Sequence, residues 1–172
     1  MNIVVQPMVD DRPERERLEK AAALVNEGLR AQQDGDLDRA VELYRTSIDI
    51  YPLAEGHTYL GWALSYQDKL DEAIEHCRRA IAIDPDFGNP YNDIGVYLMQ
   101  RNQLDEAIVW LERAKQAKRY EPRHFPYINL GHIYTRRGEL IKAIEEFRGA
   151  LRFVPGDERI QRQIEQLIAT LN

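Results

Sequence analysis

The sequence is poor in the residues on which most metal binding and nucleophilic catalysis depend. Its 172 residues include 1 cysteine and 4 histidines. A single thiol excludes an internal disulfide and a zinc site built from several cysteines. The histidines show no spacing to cysteine or aspartate that is typical of metal ligands; they are His57, His76, His124 and His132. We therefore expect no metal and no other cofactor.

Glycine-rich loops and long apolar runs are also missing from the sequence. Isolated glycines cannot form a phosphate-binding loop, and no set of residues matches a catalytic pattern, so we expect no enzymatic activity. No segment approaches the roughly 20 apolar residues that a membrane-spanning helix needs. The short apolar run Ile3-Val4-Val5 has no basic residue before it, which is not typical of a secretory signal. These features predict a cytoplasmic protein without membrane insertion.

Positive charge is in deficit. Lysine and arginine number 23 against 29 aspartates and glutamates, which gives a formal net charge of −6. Sequence-independent binding of nucleic acid needs many exposed cations, so we expect no nucleic acid among the partners. The hydrophobic fraction of 44% is sufficient for a packed core.

Internal repetition is the strongest signal in the sequence. Four glycines are separated by 33, 34 and 36 residues, namely Gly28, Gly61, Gly95 and Gly131. A column of alanines has the same three steps: Ala40, Ala73, Ala107 and Ala143. So has a column of larger residues: Tyr44, Cys77, Leu111 and Phe147. Because the irregular last step recurs in every column, the chain is expected to contain four related units.

Each unit contains two amphipathic segments with helical spacing. In the fourth unit, Gly131 and Tyr134 lie on one apolar stripe, and Ala143 and Phe147 belong to the next. Small residues allow two helices to cross closely, and large residues fill the space beside them. In the second unit the large column holds Cys77, so we interpret this thiol as a buried hydrophobe and not as a nucleophile.

The fourth unit resembles the tetratricopeptide repeat. The family pattern runs from a large residue through Leu-Gly, Tyr and Ala-x-x-x-Phe to Pro. This unit has every element in order: Tyr127, Leu130, Gly131, Tyr134, Ala143, Phe147 and Pro155. Units two and three are close to the pattern, unit one is weaker, and the resemblance covers about residues 20–156. It implies an all-α, right-handed α-solenoid of four helix pairs. A plain helical bundle would not explain the repeat spacing.

The expected organisation has three parts. Residues 1–12 show no periodicity and are expected to be extended or flexible, or to lie on a neighbouring apolar surface. The four repeats are expected at about 13–53, 54–87, 88–123 and 124–156. In residues 157–172 one apolar stripe follows Asp157, an N-cap candidate. Because a solenoid end exposes the flank of its last repeat, we interpret this segment as a C-terminal capping helix. A docking helix for another chain is the alternative.

The resemblance implies that partners bind to the first helix of each repeat, since these helices line the concave side in this family. An aromatic strip stands out there, formed by Tyr59, Trp62 and Tyr66 on one helix. Such side chains offer large contact areas with few torsions to freeze. The candidate binding residues of this concave groove are Asn26, Tyr59, Trp62, Tyr66, Asn92, Asp93, Val96, Met99, Asn129, His132 and Arg136. The alternative is that the aromatic residues only fill the tight inside of the superhelix.

Asparagines in the set have a role in the family that the resemblance implies for this chain. In several tetratricopeptide proteins, an asparagine two residues before the glycine bonds the main chain of an extended ligand, for which a carboxamide has both donor and acceptor. Asn26 and Asn129 occupy that position and Asn92 lies next to it, whereas Tyr59 and Asp93 depart from the pattern. The family's clamp for acidic chaperone C-termini needs cations that this sequence lacks at the matching positions, so that ligand is not expected.

The junction between the third and fourth units is the most basic stretch of the chain. It contains Arg113, Lys115, Lys118, Arg119 and Arg123. Cations near a helix C-terminus interact favourably with the helix dipole, and we prefer this interpretation to a binding patch. The junction is two residues longer than a 34-residue repeat and its proline is delayed. We therefore expect the second helix of unit three to run on before it stops.

These features predict a non-catalytic adaptor or scaffold, a monomer that binds a protein or peptide partner in its concave groove. The first alternative is a dedicated chaperone for a secreted or assembling client. Its size and acidity resemble the small tetratricopeptide chaperones of bacterial secretion systems, although those usually have three repeats. An alternative of another class is a regulatory subunit of an enzyme complex.

Overall fold

A computed structural model describes residues 12–171 of the chain. Within this range all regular secondary structure is helical. The helices are α1 Arg12–Gln33, α2 Leu37–Ile50, α3 Ala54–Tyr66, α4 Leu70–Ile83, α5 Asn89–Gln100, α6 Leu104–Gln116, α7 Phe125–Arg136, α8 Leu140–Leu151 and α9 Glu158–Leu171. The prediction for residues 1–12 lies outside the described residues, except for Arg12, with which α1 begins.

The first eight helices form four pairs, and each pair is closed by a turn with one residue in the left-handed backbone region. These residues have φ angles of 85, 60, 61 and 73°, and they are Gly35, Asp68, Asn102 and Gly138. Glycine, asparagine and aspartate adopt this conformation at lower cost than other residues. Their separations of 33, 34 and 36 residues repeat the steps of the glycine column, so the turn chemistry is part of the repeat.

The helices are arranged in two layers. Each first helix packs against its own second helix and against the first helix of the next pair, which gives an inner layer of α1, α3, α5 and α7. The second helices α2, α4, α6 and α8 form the outer layer, and α9 packs on α8. The predicted all-α solenoid is therefore confirmed.

The glycine column lies at the crossing of the two helices of each pair. A Cβ atom added to Gly28 would lie 2.5 Å from Tyr44 Cε1, and one added to Gly131 would lie 2.7 Å from Phe147 Cε1. Gly61 and Gly95 face the corresponding residues of their own pairs, Cys77 and Leu111. The large column is completely buried, Cys77 included, and burial raises the pKa of its thiol well above the ordinary value.

The ninth helix covers the end of the fourth pair. Ile160, Ile164 and Leu167 are buried in one cluster with Phe147 of α8. Asp157 Oδ1 accepts hydrogen bonds from the backbone N–H groups of Arg159 and Ile160 at 2.9 and 3.3 Å, which is the geometry of a helix N-cap. We therefore propose that helix α9 caps the solenoid, while residue 172 lies outside the described residues.

The expectation that the second helix of unit three runs on is wrong. Helix α6 ends at Gln116 after 13 residues, about the length of its counterparts. The two additional residues are found in the loop 117–124, which leaves the helix and pairs with the loop 84–88. Arg119 N–H donates to Asp86 O, and Gly88 N–H donates to Arg119 O, both at 2.9 Å. These two bonds hold the loop 117–124 to the preceding repeat.

Candidate partner-binding groove

Two adjoining pockets lie along the inner layer where α3, α5 and α7 face one another. Their volumes are about 290 and 370 Å³, and they share Trp62, Asn92, Asp93 and Phe125. We call the surface that contains both pockets the groove. It is formed by consecutive first helices, the elements on which the sequence analysis placed the binding residues.

The predicted aromatic strip forms one wall of the groove. Trp62 and Tyr66 are 39% and 62% exposed, and their ring centroids lie 5.9 Å apart. Tyr59 is half-buried, packs against the core and lines the smaller pocket. The strip therefore combines one anchored ring with two accessible ones, so it can both shape the pocket and contact a ligand.

Two asparagine side chains of the groove are hydrogen-bonded to each other. Asn129 Nδ2 on α7 donates to Asn92 Oδ1 on α5 at 2.9 Å. Asn92 is buried, whereas Asn129 is half-buried. This bond joins two consecutive first helices, and it uses one donor and one acceptor that the sequence analysis had assigned to a ligand backbone. Asn129 keeps its Oδ1 acceptor for such a contact, whereas the amide nitrogen of Asn92 donates to Asp93.

Asp93 lies where the two pockets meet and is half-buried. Burial raises the pKa of its carboxyl to about 7, and a hydrogen bond from Asn92 partly offsets this effect. Burial raises the pKa values of Tyr97 on the same helix and of Tyr120 in the loop 117–124, and the charge of Asp93 adds to both shifts. Among the residues that line the two pockets, Asp93 is the only acid, and lysine, arginine and histidine are absent.

Four predicted residues lie apart from these two pockets. Asn26 is exposed on α1, and Met99 packs against the core. The His132 ring contacts Phe147 edge-on at a centroid distance of 5.3 Å, and burial lowers its pKa. Arg136 donates to Asn102 Oδ1 at 2.8 Å. The remaining predicted residues come together in the groove; they are Tyr59, Trp62, Tyr66, Asn92, Asp93, Val96 and Asn129.

Sequence reasoning missed eight residues that line the two pockets; they are Thr58, Ser65, Asn89, Tyr97, Gln100, Tyr120, Pro122 and Phe125. Asn89 and Phe125 each lie six residues before the column glycine of their helix, one turn N-terminal to the predicted face. Extending that face by one turn would have found both. Tyr120 and Pro122 come from the loop 117–124, whose path depends on its pairing with another loop, and the sequence carries no comparable signal for them.

The basic stretch is held in specific contacts with its own chain. We call the paired loops 84–88 and 117–124 the junction. Arg119 donates to Asp84 and to Glu55 and lies 4.2 Å above the Phe87 ring. Lys118 donates to Asp86 Oδ2 at 3.0 Å. The junction therefore neutralises its main cations internally.

The other three cations of this stretch also have contacts within the chain. Lys115 donates to Glu112 and Glu146 at 3.1 Å, which bridges α6 and α8. Arg113 lies 5.1 Å from the Trp110 ring centroid, and Arg123 donates to Lys118 O at 2.8 Å. Of the five, only Arg113 and Lys115 are in the last turn of α6, so the helix dipole accounts for part of the cluster and local ion pairs for the rest.

A histidine pair lies between α3 and α4. His57 Nδ1 and His76 Nδ1 are 2.9 Å apart and their rings are stacked. Burial lowers the pKa of His57 to about 4, and it lowers that of His76 as well. One ring donates and the other accepts, so the two rings cannot both be protonated while this contact exists. Between residues 12 and 171, no three histidine, cysteine, aspartate or glutamate side chains come together in a way that could hold a metal.

Comparisons with known proteins identify the family. Tetratricopeptide repeat models match residues 54–87, 91–119 and 126–155, which together make up more than half of the chain. The chain belongs to the tetratricopeptide repeat family. None of the helices in the described range 12–171 is long and apolar enough to cross a membrane.

Several characterised proteins are similar over most of this chain. Photosystem I assembly protein Ycf3 of Prochlorococcus marinus (strain MIT 9215) is 26% identical over 135 residues, which cover 72% of this chain and 78% of that protein. The structure of pilF from Pseudomonas aeruginosa superposes with a TM-score of 0.84 at 25% identity and covers 90% of this chain and 70% of that one. The first tetratricopeptide domain of Spaghetti (RPAP3), bound to the HSP90 peptide SRMEEVD, has a TM-score of 0.64 at 24% identity. It covers 70% of this chain and 97% of that one.

Proposed function

We propose that the protein is a non-catalytic adaptor or scaffold that binds a segment of a partner protein in the groove. The observation that carries this proposal is the exposed aromatic wall at two adjoining pockets. Trp62 and Tyr66 are accessible although other side chains of both helix layers already supply the core. Large apolar rings that leave this much of their surface exposed in the free chain are available for a partner.

Two further observations support a peptide as the ligand. The pockets together extend along three consecutive helices, which suits an extended segment better than a compact small molecule. The RPAP3 domain of the same fold holds a peptide in its solved complex. We assign the groove residues named above to this role and the cytoplasm to the protein, and we keep the monomer as the proposed state.

A dedicated chaperone is the second candidate. The observation that favours it is the similarity to an assembly protein along 78% of that protein's length. An adaptor and a chaperone use the same groove but differ in what they hold. An adaptor binds a folded, lasting partner, whereas a chaperone binds a newly made client and releases it.

Site-specific photo-crosslinking in the source cells tests the proposed surface. A benzoylphenylalanine replaces Tyr66 in the groove, and in a matched control it replaces Ile141 on α8, which is 66% exposed. We expect a protein adduct from position 66 that is lost when Trp62→Ala is added, and none from position 141. Adducts from position 141 with none from position 66 would place partner binding on the outer layer.

Pulse-labelling of the same cells separates the two candidates. An adduct that contains only newly synthesised protein, and that disappears during the chase, indicates a chaperone. An adduct that persists through the chase indicates an adaptor.

A further inference from the structure

Two half-buried carboxylates, Glu146 outside the groove and Asp93 within it, have different partners. Glu146 on α8 is half-buried, and Lys115 donates to both of its carboxylate oxygens at 3.1 Å. Asp93 is similarly placed but has only the neutral amide of Asn92 as a hydrogen-bond partner. No lysine, arginine or histidine between residues 12 and 171 forms an ion pair with it. An acid taken out of water without a cation is unfavourable in the free protein.

The surroundings of Asp93 suit a positively charged side chain. Trp62 and Phe125 line both of the pockets that meet at Asp93, and Tyr59 lines the smaller one. Aromatic faces attract ammonium and guanidinium groups, and they also cover the aliphatic stem of lysine or arginine. The net charge of −6 favours the approach of a basic segment.

We propose that the groove recognises an extended segment of a partner protein through one lysine or arginine, whose charged group pairs with Asp93 while its stem lies between Trp62 and Phe125. This inference rests on the proposed function and adds the chemistry of the ligand to it. It also gives Asp93 a role of its own at the position where several members of the family have an asparagine. An acidic segment would bring like charge to Asp93 and is excluded from the site.

Selection from a random decapeptide library displayed on phage tests this preference with the complete chain as bait. We expect the wild-type protein to enrich peptides with one lysine or arginine next to apolar residues. Peptides selected by Asp93→Asn should lack the basic residue and retain the apolar ones. The matched control is Asp49→Asn, which removes the same charge from an exposed position on α2 and should select the same peptides as wild type.

The selected peptide then gives a quantitative test. Exchanging its basic residue for norleucine should weaken binding to wild type at least tenfold, and the same exchange should change binding to Asp93→Asn by no more than about twofold. Asp93→Glu should restore the preference. Equal loss for wild type and Asp93→Asn would show that the cation pairs elsewhere.

The pH dependence provides a readout that a structural role would not alter. Affinity for the basic peptide should rise between pH 5.5 and 8.5 in wild type, as Asp93 ionises, and should stay constant in Asp93→Asn. The titratable groups that face Asp93 are Tyr59, Cys77, Tyr97 and Tyr120, and burial raises the pKa of each. They stay neutral across this range, so they do not contribute to the change.

The peptide selection distinguishes a failure of the proposed basic preference from a failure of the proposed groove. Neutral or acidic peptides that are selected by wild type, and whose binding Trp62→Ala abolishes, would overturn the basic preference and leave the groove as the binding site. Peptides whose binding withstands Trp62→Ala would overturn the groove as well. A library from which the wild-type protein enriches no sequence would contradict both.

Discussion

The groove and the junction adjoin, since Tyr120 and Pro122 of the junction line the smaller pocket, yet their charges are arranged in opposite ways. In the junction, Arg119 has two carboxylate partners and an aromatic face, and Lys118 has one carboxylate. In the groove, Asp93 has no cation among the described residues, and two aromatic rings of the strip remain exposed. Arg119 and Lys118 of the junction form ion pairs within the chain, whereas Asp93 of the groove does not form one with any described residue. Because of this difference we propose the groove, and not the most basic stretch, as the partner-binding surface.

Stability should be most sensitive to substitutions where the two helices of a repeat cross. Gly131→Leu forces a side chain into the Phe147 ring, which a Cβ alone would approach to 2.7 Å. We expect a loss of about 3 kcal/mol in the free energy of unfolding. Gly156→Leu is the control, since a Cβ there meets no atom within 4 Å. Thermal melting that fails to separate the two variants would show that α7 and α8 do not cross at Gly131.

The same substitution should have opposite effects in the two regions. Burial raises the pKa of Asp93, so its contribution to stability is present below about pH 4 and is lost as the pH rises through about 7. Asp93→Asn should therefore stabilise the protein at pH 8, by about 2 kcal/mol after allowance for the open pocket, and by less at pH 5. Denaturant unfolding at the two pH values measures this gain.

In the junction, a hydrogen bond from Arg119 lowers the pKa of Asp84. Its contribution to stability is present above about pH 4 and is lost as the pH falls through the lowered value. Asp84→Asn should therefore destabilise the protein at pH 8, by roughly 1 kcal/mol because the pair is partly exposed. Two changes of equal sign in the same unfolding experiment would remove the distinction between groove and junction.

The histidine pair lies apart from the groove and the junction. Its protonation at acid pH should lower stability independently of both. The pKa of His57 is lowered to about 4 and that of His76 is also lowered. The pair's contribution is therefore present above about pH 6.5 and is lost as the pH falls towards 4. The charged groups that act on His76 are Arg45, Arg79, Glu72 and Glu75. Replacing both histidines by glutamine should flatten the unfolding free energy over this range by roughly 2 kcal/mol relative to wild type. Parallel curves would contradict the pairing.

The sequence predicts the helix crossings and the residues of the groove, but it does not predict the ion pairs of the junction. The glycine and large columns predict the crossings at Gly131 and Phe147, because close packing of two helices requires that pairing of sizes. The helical period likewise predicts that Trp62 and Asp93 belong to one surface. The pairing of Arg119 with Asp84 and Glu55 depends on the backbone bonds between the loops 84–88 and 117–124. Contacts of that kind join residues far apart in sequence, and local patterns do not encode them.

The smallest effects are expected from single cations of the junction. Arg119→Ala removes two ion pairs and the contact with Phe87 and should cost about 1 kcal/mol of stability. Lys118→Ala removes one pair whose lysine side chain is 82% exposed, and it should change stability by less than about 0.5 kcal/mol. Chemical denaturation resolves these values. A larger loss for Lys118→Ala than for Arg119→Ala would mean that the network is not centred on Arg119.

The affinity of one selected decapeptide for three proteins decides between the groove and the junction as the binding surface. Titration calorimetry compares wild type, Trp62→Ala and Arg119→Ala, after circular dichroism has shown that each is folded. Removing a central aromatic anchor typically costs about 2 kcal/mol or more, so we expect Trp62→Ala to weaken binding about thirtyfold. Arg119→Ala should weaken it less than about threefold. The reverse ranking would contradict the account, because it would place the partner on the junction and leave the aromatic wall of the groove as internal packing.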